Sequence, residues 1–410
     1  MKSRRLIRGA KRAALFALET ASAVRPRHWG ALGVRFSETW HGRTGREPGP
    51  EAVCAAIGWL KASQDVTASG GCAWGHRARA RIGAGETVGW QPAYPETTGY
   101  IIETMLRYGH WAGDQDSIER ARRMADWELG VQLPDGGIPG GTIGAQPVES
   151  STFVTGQVIF GWIRAHEEFG GRGYLDAACR AGDYLVSCQD ETGRFVRGHS
   201  RFCLAGPKAY ETRTGWALVR LGQVAAIPRY IEAGRKTAEF ALACQQANGW
   251  LSSNDLDQPD APLTHTIGYA LEGLLEIGRL IEEQRFVAAA RIALENLRAA
   301  IREDGFLPGR LNGAWQPTVK WCCLTGCCQL ASVFFRMQGL FPDWNSGAEG
   351  ERLLRFVAST QRLTGASPER VGGISGSFPF HGGYAPCCVL NWATKFYADA
   401  VMDYLSRPGA

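Results

Sequence analysis

The sequence predicts an all-α chain closed into an (α/α)6 toroid, a six-hairpin barrel, and three observations carry that prediction. First, Gly137, Gly193, Gly249 and Gly305 recur every 56 residues, each followed within two positions by Ile138, Phe195, Trp250 or Phe306. Looser copies at Gly70-Gly71-Cys72 and Gly372-Gly373-Ile374 bring the count to six. A fixed period of this size marks a repeat architecture in which stacked units bury the core together. Second, each turn is flanked by helical patterns. One ends in a polar residue, at Gln64, Gln132, Gln189, Gln246, Arg302 or Gln361, and the next begins at Thr97-Thr98-Gly99, Thr155-Gly156, Thr214-Gly215, Thr266-Ile267-Gly268, Thr325-Gly326 or Ala393-Thr394. Third, the count closes: the first helix lacks an inner partner and the last lacks an outer one, so pairing them completes a ring. An open superhelix is the alternative.

Composition sets outer bounds. A chain of 410 residues could hold two domains by length, but six interlocked hairpins predict one, over 50–410, preceded by a basic segment and wrapping loop over 1–49. With 45% hydrophobic and 21% charged residues the chain can bury a large core. Its net charge of +5 is concentrated in Lys2, Arg4, Arg5, Arg8, Lys11 and Arg12, leaving a nearly neutral body that argues against nucleic acid as a partner. The following stretch, 13–24, contains Glu19 and reads as an amphipathic helix packing on the barrel and able to touch anionic lipid, with a secretory signal as the alternative. No run reaches the length of a membrane span. Six of the 12 cysteines are vicinal, at Cys322-Cys323, Cys327-Cys328 and Cys387-Cys388, and neighbouring cysteines rarely bridge each other. The expected location is therefore a reducing cytoplasm, peripheral to the inner membrane.

In order along the chain, 50–64 forms a stripe of Val53, Ala56, Ile57 and Leu60 opened by Pro50. The stretch 70–95 is a long loop carrying Trp74, His76, Trp90 and Tyr94, and loops of this length in a compact domain are usually functional. Helix pairs follow at 97–110 with 117–132, 153–169 with 174–189, 214–225 with 229–246, 266–280 with 284–302, and 325–338 with 348–361, and a lone helix at 391–405 closes the chain. The two members of a pair differ. Val158, Ile159, Phe160, Trp162 and Ile163 are apolar nearly all round, as an inner helix requires, whereas Phe286, Ala290, Ala293, Leu297 and Ile301 make one stripe opposite Arg285, Arg291, Glu295 and Arg298.

In such a ring the loops entering the inner helices frame a central funnel, where a ligand pocket is expected. Those loops carry Trp90, Tyr94 and Glu96; then Glu149; Tyr210, Glu211 and Arg213; Asp257 and His265; Lys320 and Trp321; and Tyr384, Asn391 and Lys395. Aromatics with carboxylates, an Arg, a His and amides suit a sugar chain. Rings stack on pyranose faces, and hydroxyls or a uronate carboxylate take hydrogen bonds or a cation. Helix capping alone also explains Glu96 and Glu211, and His265, Arg213, Trp321 and Tyr94 each have packing or ion-pair readings, so the convergence carries more than any member. Cys322, Cys323, Cys327 and Cys328 with His381 and Cys387 suggest zinc, but the spacing matches no standard finger. Asp255, Asp257 and Asp260 lack the consecutive pair of a protonating cyclase. The sequence calls for neither metal nor cofactor.

Gln246-Ala-Asn-Gly-Trp250 resembles the Gln…Gly-x-Trp element of the prenyltransferase and squalene-cyclase repeat, which occupies (α/α)6 toroids. Tyr94-Pro-Glu-Thr-Thr-Gly-Tyr100, Leu263-Thr-His-Thr-Ile-Gly-Tyr269, Cys323-Leu-Thr-Gly326 and Asn391-Trp-Ala-Thr-Lys-Phe396 together resemble a bacterial family of toroid proteins associated with exopolysaccharide and surface-glycan biosynthesis. The resemblance spans about residues 90–405 and departs at Cys327-Cys328, where that family more often has a polar and small pair. It implies a toroid related to polysaccharide lyases, uronyl epimerases and glycoside hydrolases.

The expected function is a carbohydrate-active enzyme acting on a glycan or lipid-linked oligosaccharide by uronate lyase or epimerase chemistry. His265 would be the base, Arg213 or Asn391 the neutralising group, and Tyr384 or Tyr94 the acid. A glycosidase would instead use paired carboxylates, Glu96 with Glu211 or Asp257. The third reading is a non-catalytic glycan-binding scaffold.

Overall fold

The computed structural model describes residues 47–80, 85–365 and 367–407. The expected basic segment and its amphipathic helix over 13–24 lie outside the described residues, which take in only positions 47–49 of the expected wrapping loop. Among the described residues there are twelve α-helices. The outer ring comprises α1 (Pro50–Asp65), α3 (Gln115–Val131), α5 (Gly173–Cys188), α7 (Pro228–Ala243), α9 (Gln284–Leu297) and α11 (Gly347–Ala358). The inner ring comprises α2 (Pro95–Ala112), α4 (Thr152–Phe169), α6 (Thr212–Val224), α8 (Thr264–Leu280), α10 (Leu324–Leu340) and α12 (Asn391–Leu405). Each inner helix packs on the next, and α12 packs on both α2 and α1, so the ring is closed and the open superhelix is excluded.

Local chemistry explains the elements. Pro50, Pro95 and Pro228 each stand in the first turn of a helix, where the missing N–H costs nothing and the fixed φ suits the helix. Asp114 accepts from the Ser117 amide to cap α3. Val158, Phe160 and Trp162 on α4 are fully buried. On α9 the buried stripe of Phe286, Ala290, Ala293 and Leu297 lies opposite the exposed Arg291–Glu295 pair at 2.8 Å. Inner helices meet through small residues: a Cβ at Gly99 would lie 2.6 Å from Val158 Cα, and one at Gly326 2.6 Å from the Thr264 carbonyl carbon.

A clasp repeats around the ring. The turn after each outer helix lies against the backbone of the next outer helix, and the positions involved are Gly70, Gly136, Gly193, Gly249, Gly305 and Gly372. The second member is Gly136 rather than the expected Gly137, because Gly136 has the left-handed φ of +87°. At the sixth turn Gly372, also at φ +87°, would place a Cβ 1.9 Å from Ala55 O on α1, so the last repeat docks on the first. A glutamine side chain holds five of the six turns: Gln189 donates to Gly193 O and to Ala233 O on the next outer helix, and Gln361 donates to Gly372 O and to Ala52 O on α1. Gln64 and Gln132 make the same paired bonds. In the fourth repeat the clasp is Gln245 rather than the expected Gln246. The fifth repeat has none: Arg302 turns outward over Phe306 and pairs with Asp304 at 3.1 Å, and the aligned position is the buried Ile301. Each glutamine satisfies two carbonyls, and bonds of this kind contribute about 1 kcal/mol apiece.

The sequence reading missed a small antiparallel sheet at the joint. Strands β1 (Gly75–Arg77) and β2 (Gly89–Trp90) pair with each other, while β4 (Ile374–Ser375) and β6 (Cys388–Leu390) extend the sheet in the order β2-β1-β6-β4. A second pair joins β3 (Cys322–Cys323) to β5 (Ser377–Phe378). The loop expected over 70–95 is thus partly strand, and it staples the beginning of the ring to its end.

Candidate active site

The N-terminal ends of the inner helices converge on one mouth. At the start of α2, the hydroxyl of the N-cap residue Tyr94 donates to Glu96 Oε2. On the turn before α6, Glu211 accepts from Thr214 at 2.5 Å and from Thr152 on α4 at 2.9 Å. Burial pushes both carboxyls up to about 7, and for Glu96 the nearby Glu211 charge raises it further, against the opposing pull of Tyr94 and Arg213. On α8, His265 donates from Nδ1 to Gln329 Oε1 at 2.7 Å, which leaves Nε2 with its lone pair. Burial lowers its pKa to about 4, so the imidazole is neutral at physiological pH.

Aromatic side chains complete the wall. The His265 ring centre lies 4.4 Å from that of Tyr269 and 5.6 Å from that of Tyr384. The Tyr384 hydroxyl accepts from Trp392 Nε1 at 3.1 Å, and Trp392 stacks on Trp74 at 5.8 Å, so a continuous aromatic face leads from the rim to His265. Phe202, 56% exposed, overhangs Tyr94. Arg213 forms the floor. It is 2% exposed, donates to Gln157 at 2.7 Å, is ion-paired with Glu272, and has its guanidinium within 6.0 Å of the Tyr100, Phe160, Trp216, Tyr269 and Phe396 rings.

The mouth therefore gathers Tyr94, Glu96, Glu211, Arg213, His265 and Tyr384 from the expected residues, with Tyr210 buried behind Phe153. The others lie elsewhere. Glu149 is exposed, in a lateral pocket of about 650 Å³ shared with Arg197 and His199. Asp257 is paired with Arg310 at 2.7 Å, and Lys320 is exposed. Trp90 packs on Trp59 and His76 in the joint sheet, and Trp321 lies against Gly309 and Gly383. Asn391 is fully buried and donates to Ala73 O and Thr97 Oγ1, tying α12 to the first turn of α2 and to the loop before it. Lys395 lies below the Arg213 floor, paired with Asp399 at 2.7 Å. Sequence reasoning did not single out Tyr269 or Gln329. Tyr269 follows His265 by four residues on a helix, a spacing that places them on one face; Gln329 had no local signal.

The cysteine cluster is buried, with Cys322 Sγ and Cys327 Sγ 3.2 Å apart. Among the described residues no group of three or more His, Cys, Asp or Glu side chains is arranged to hold a metal ion, and no helix is long and apolar enough to cross a membrane.

The fold and this mouth define an (α/α)6 toroid with a titratable, aromatic-walled funnel. Solved structures share the fold. A heparin-specific unsaturated glucuronyl hydrolase matches with a TM-score of 0.67 at 14% identity, over 86% of this chain and 95% of that one. The cellobiose 2-epimerase of Bacillus thermoamylovorans matches at 0.66 and 10% identity, over 86% and 97%. The unsaturated glucuronyl hydrolase of Bacillus sp. GL1 matches at 0.65 and 12%, over 87% and 96%. No protein-family model matches the sequence, and no curated protein matches it.

Proposed function

We propose that this chain is a carbohydrate-active enzyme that works by proton transfer on a uronate-containing glycan in the funnel, with lyase or epimerase chemistry. The observation that carries the reading is the pair Glu96 and Glu211, both raised to about 7, at the same end of the ring as a neutral His265 set beside Tyr269 and Tyr384. At neutral pH such a pair holds about one proton. The protonated carboxyl can donate to a uronate carboxylate, which stabilises charge developing on it as the neighbouring C–H is broken. His265 Nε2 takes that proton, and Tyr94 or Tyr384 protonates the opposite face or the leaving oxygen. Arg213 and Asn391 already have protein partners, so the neutralising role passes to the glutamate pair. Uronate and sugar-epimerising enzymes among the structural neighbours support this substrate class. The setting, as the sequence resemblance implies, is exopolysaccharide or surface-glycan biosynthesis, with the basic N-terminus bringing the protein to a membrane surface and a lipid-linked oligosaccharide.

A second reading, hydrolysis, is favoured by the same coupling of two carboxyls, one protonated as acid and one ionised. A panel of uronate glycans separates the two. Ultraviolet absorbance of an unsaturated product marks the lyase, deuterium uptake at C5 without cleavage marks the epimerase, and new reducing ends without absorbance mark hydrolysis. If none appears, or if Glu96→Gln and His265→Ala turn over like the wild type, the catalytic assignment fails.

A further inference from the structure

Below the Arg213 floor the lumen opens again into a chamber of about 660 Å³. All six inner helices contribute to it. Seven arginine and lysine side chains line it against four carboxylates. The helix macrodipoles favour cations near helix C-termini, but that effect fades within the last turn, and of the basic lining residues only His110 and Arg279 sit in a last turn. Arg220, Arg336 and Lys395 therefore need another account.

Glu103 is held ionised here. Burial opposes the charge on Glu103, yet Arg220, Lys395 and Arg164 pull its pKa to about 2. Every cation is ion-paired, but two of the partners, Glu167 and Asp403, lie outside the lining, so positive charge dominates the wall. Gln329 adds a second and independent sign. It is 1% exposed, it lines the chamber, and its Nε2 has no protein acceptor while its Oε1 is taken by His265. A buried amide donor without an acceptor is unfavourable, so an acceptor supplied by a ligand would be favoured there. Gln329, Ser332 and Arg336 are spaced along one face of α10 that lines the chamber.

We propose that this distal chamber is a binding site, separate from the funnel, for a small ligand bearing several anionic oxygens, either a phosphate ester or a polycarboxylate. Gln329 Nε2 and Ser332 donate to it from α10, with Arg336, Arg220 and Lys395 supplying charge across the lumen. The volume suits a molecule of sugar-phosphate size. Occupancy would engage the free end of the amide whose other end orients His265, so the site touches the funnel through one residue.

The test is titration calorimetry on the full chain with inorganic pyrophosphate and, separately, with citrate, which distinguishes the phosphate and carboxylate classes. At least one is expected to bind saturably at one site per chain, more weakly as salt rises. Ser332→Asp places a carboxylate in the chamber and is expected to weaken binding at least tenfold, more than Ser332→Ala, which removes one donor without adding charge. Should Ser332→Asp fail to fold, Arg279→Glu, at a half-exposed position of the lining, carries the test with an expected loss of several-fold. The proposal is overturned if neither ligand binds saturably, or if binding is indifferent to a folded Ser332→Asp or Arg279→Glu.

Discussion

Glu96 and Glu103 stand on the same inner helix, seven residues apart, yet burial and neighbours drive them in opposite directions. Glu96 faces the funnel, where burial and Glu211 raise it to about 7; Glu103 faces the distal chamber, where Arg220, Lys395 and Arg164 overcome burial and hold it near 2. Desolvation is common to both. What differs is the number of cations each feels, Arg213 alone at Glu96 against Arg220, Lys395 and Arg164 at Glu103, and Arg213 with its ring of aromatics is the partition between the two compartments. One end of the lumen can hold and release a proton near neutrality, while the other is a fixed field of charge.

The largest effect expected from breaking this contrast is catalytic. Glu96→Gln should lower turnover about 10²–10⁴-fold with little change in melting temperature, measured by initial rates and thermal unfolding. On the other side, Arg220→Met leaves Glu103 without its closest cation, 3.0 Å away, and should cost about 2–3 kcal/mol in urea unfolding at pH 7. Glu211→Gln should act with the opposite sign. The folded carboxyl is raised from 4.5 to about 7, so it favours folding most below pH 4.5 and loses that advantage as pH climbs to 7. The glutamine variant should therefore gain about 1–2 kcal/mol over wild type at pH 8 and nothing at pH 4. The pH dependence of kcat/KM should be bell-shaped, falling on the acid side as His265 protonates near 4 and on the alkaline side as the glutamate pair ionises near 7. The smallest displacement of the pH profile, as distinct from its height, is expected of Tyr94→Phe. Its hydroxyl bond opposes the rise at Glu96, so its loss should move the alkaline limb upward by under about one pH unit.

Most of the fold was legible because it repeats. A single Gly turn proves little, but six in register with alternating helix types leave few other architectures. The errors were local. Gly137 for Gly136 and Gln246 for Gln245 arise where identical residues adjoin and only backbone geometry, a φ of +87° or a bond to Ala289 O, separates them. The joint sheet escaped because strands of two or three residues carry no periodicity. The site was legible in part. Residues at inner-helix starts, Glu96, Glu211 and His265, were placed together, since the architecture itself brings those positions to one end. Asp257 and Lys395 could not be sorted the same way, because their partners Arg310 and Asp399 and the partition at Arg213 are matters of three-dimensional packing. Gln329 had no signal at all; its importance comes from a hydrogen bond to a residue 64 positions away.

The clasp of Gln361 and Gly372 on α1 gives the molecule an unusual topology of strength. Linear solenoids present two raw end faces and need capping units to cover them. Here every hairpin has a neighbour on both sides, so no unit can fray first, and the weakest seam of the fifth repeat, without its glutamine, is held shut by the other five. Loss of structure should therefore be collective. Gly372→Ala, forced into a left-handed backbone against Ala55 O, would strain that one seam, while the joint sheet and the packing of α12 on α1 and α2 keep the hoop closed.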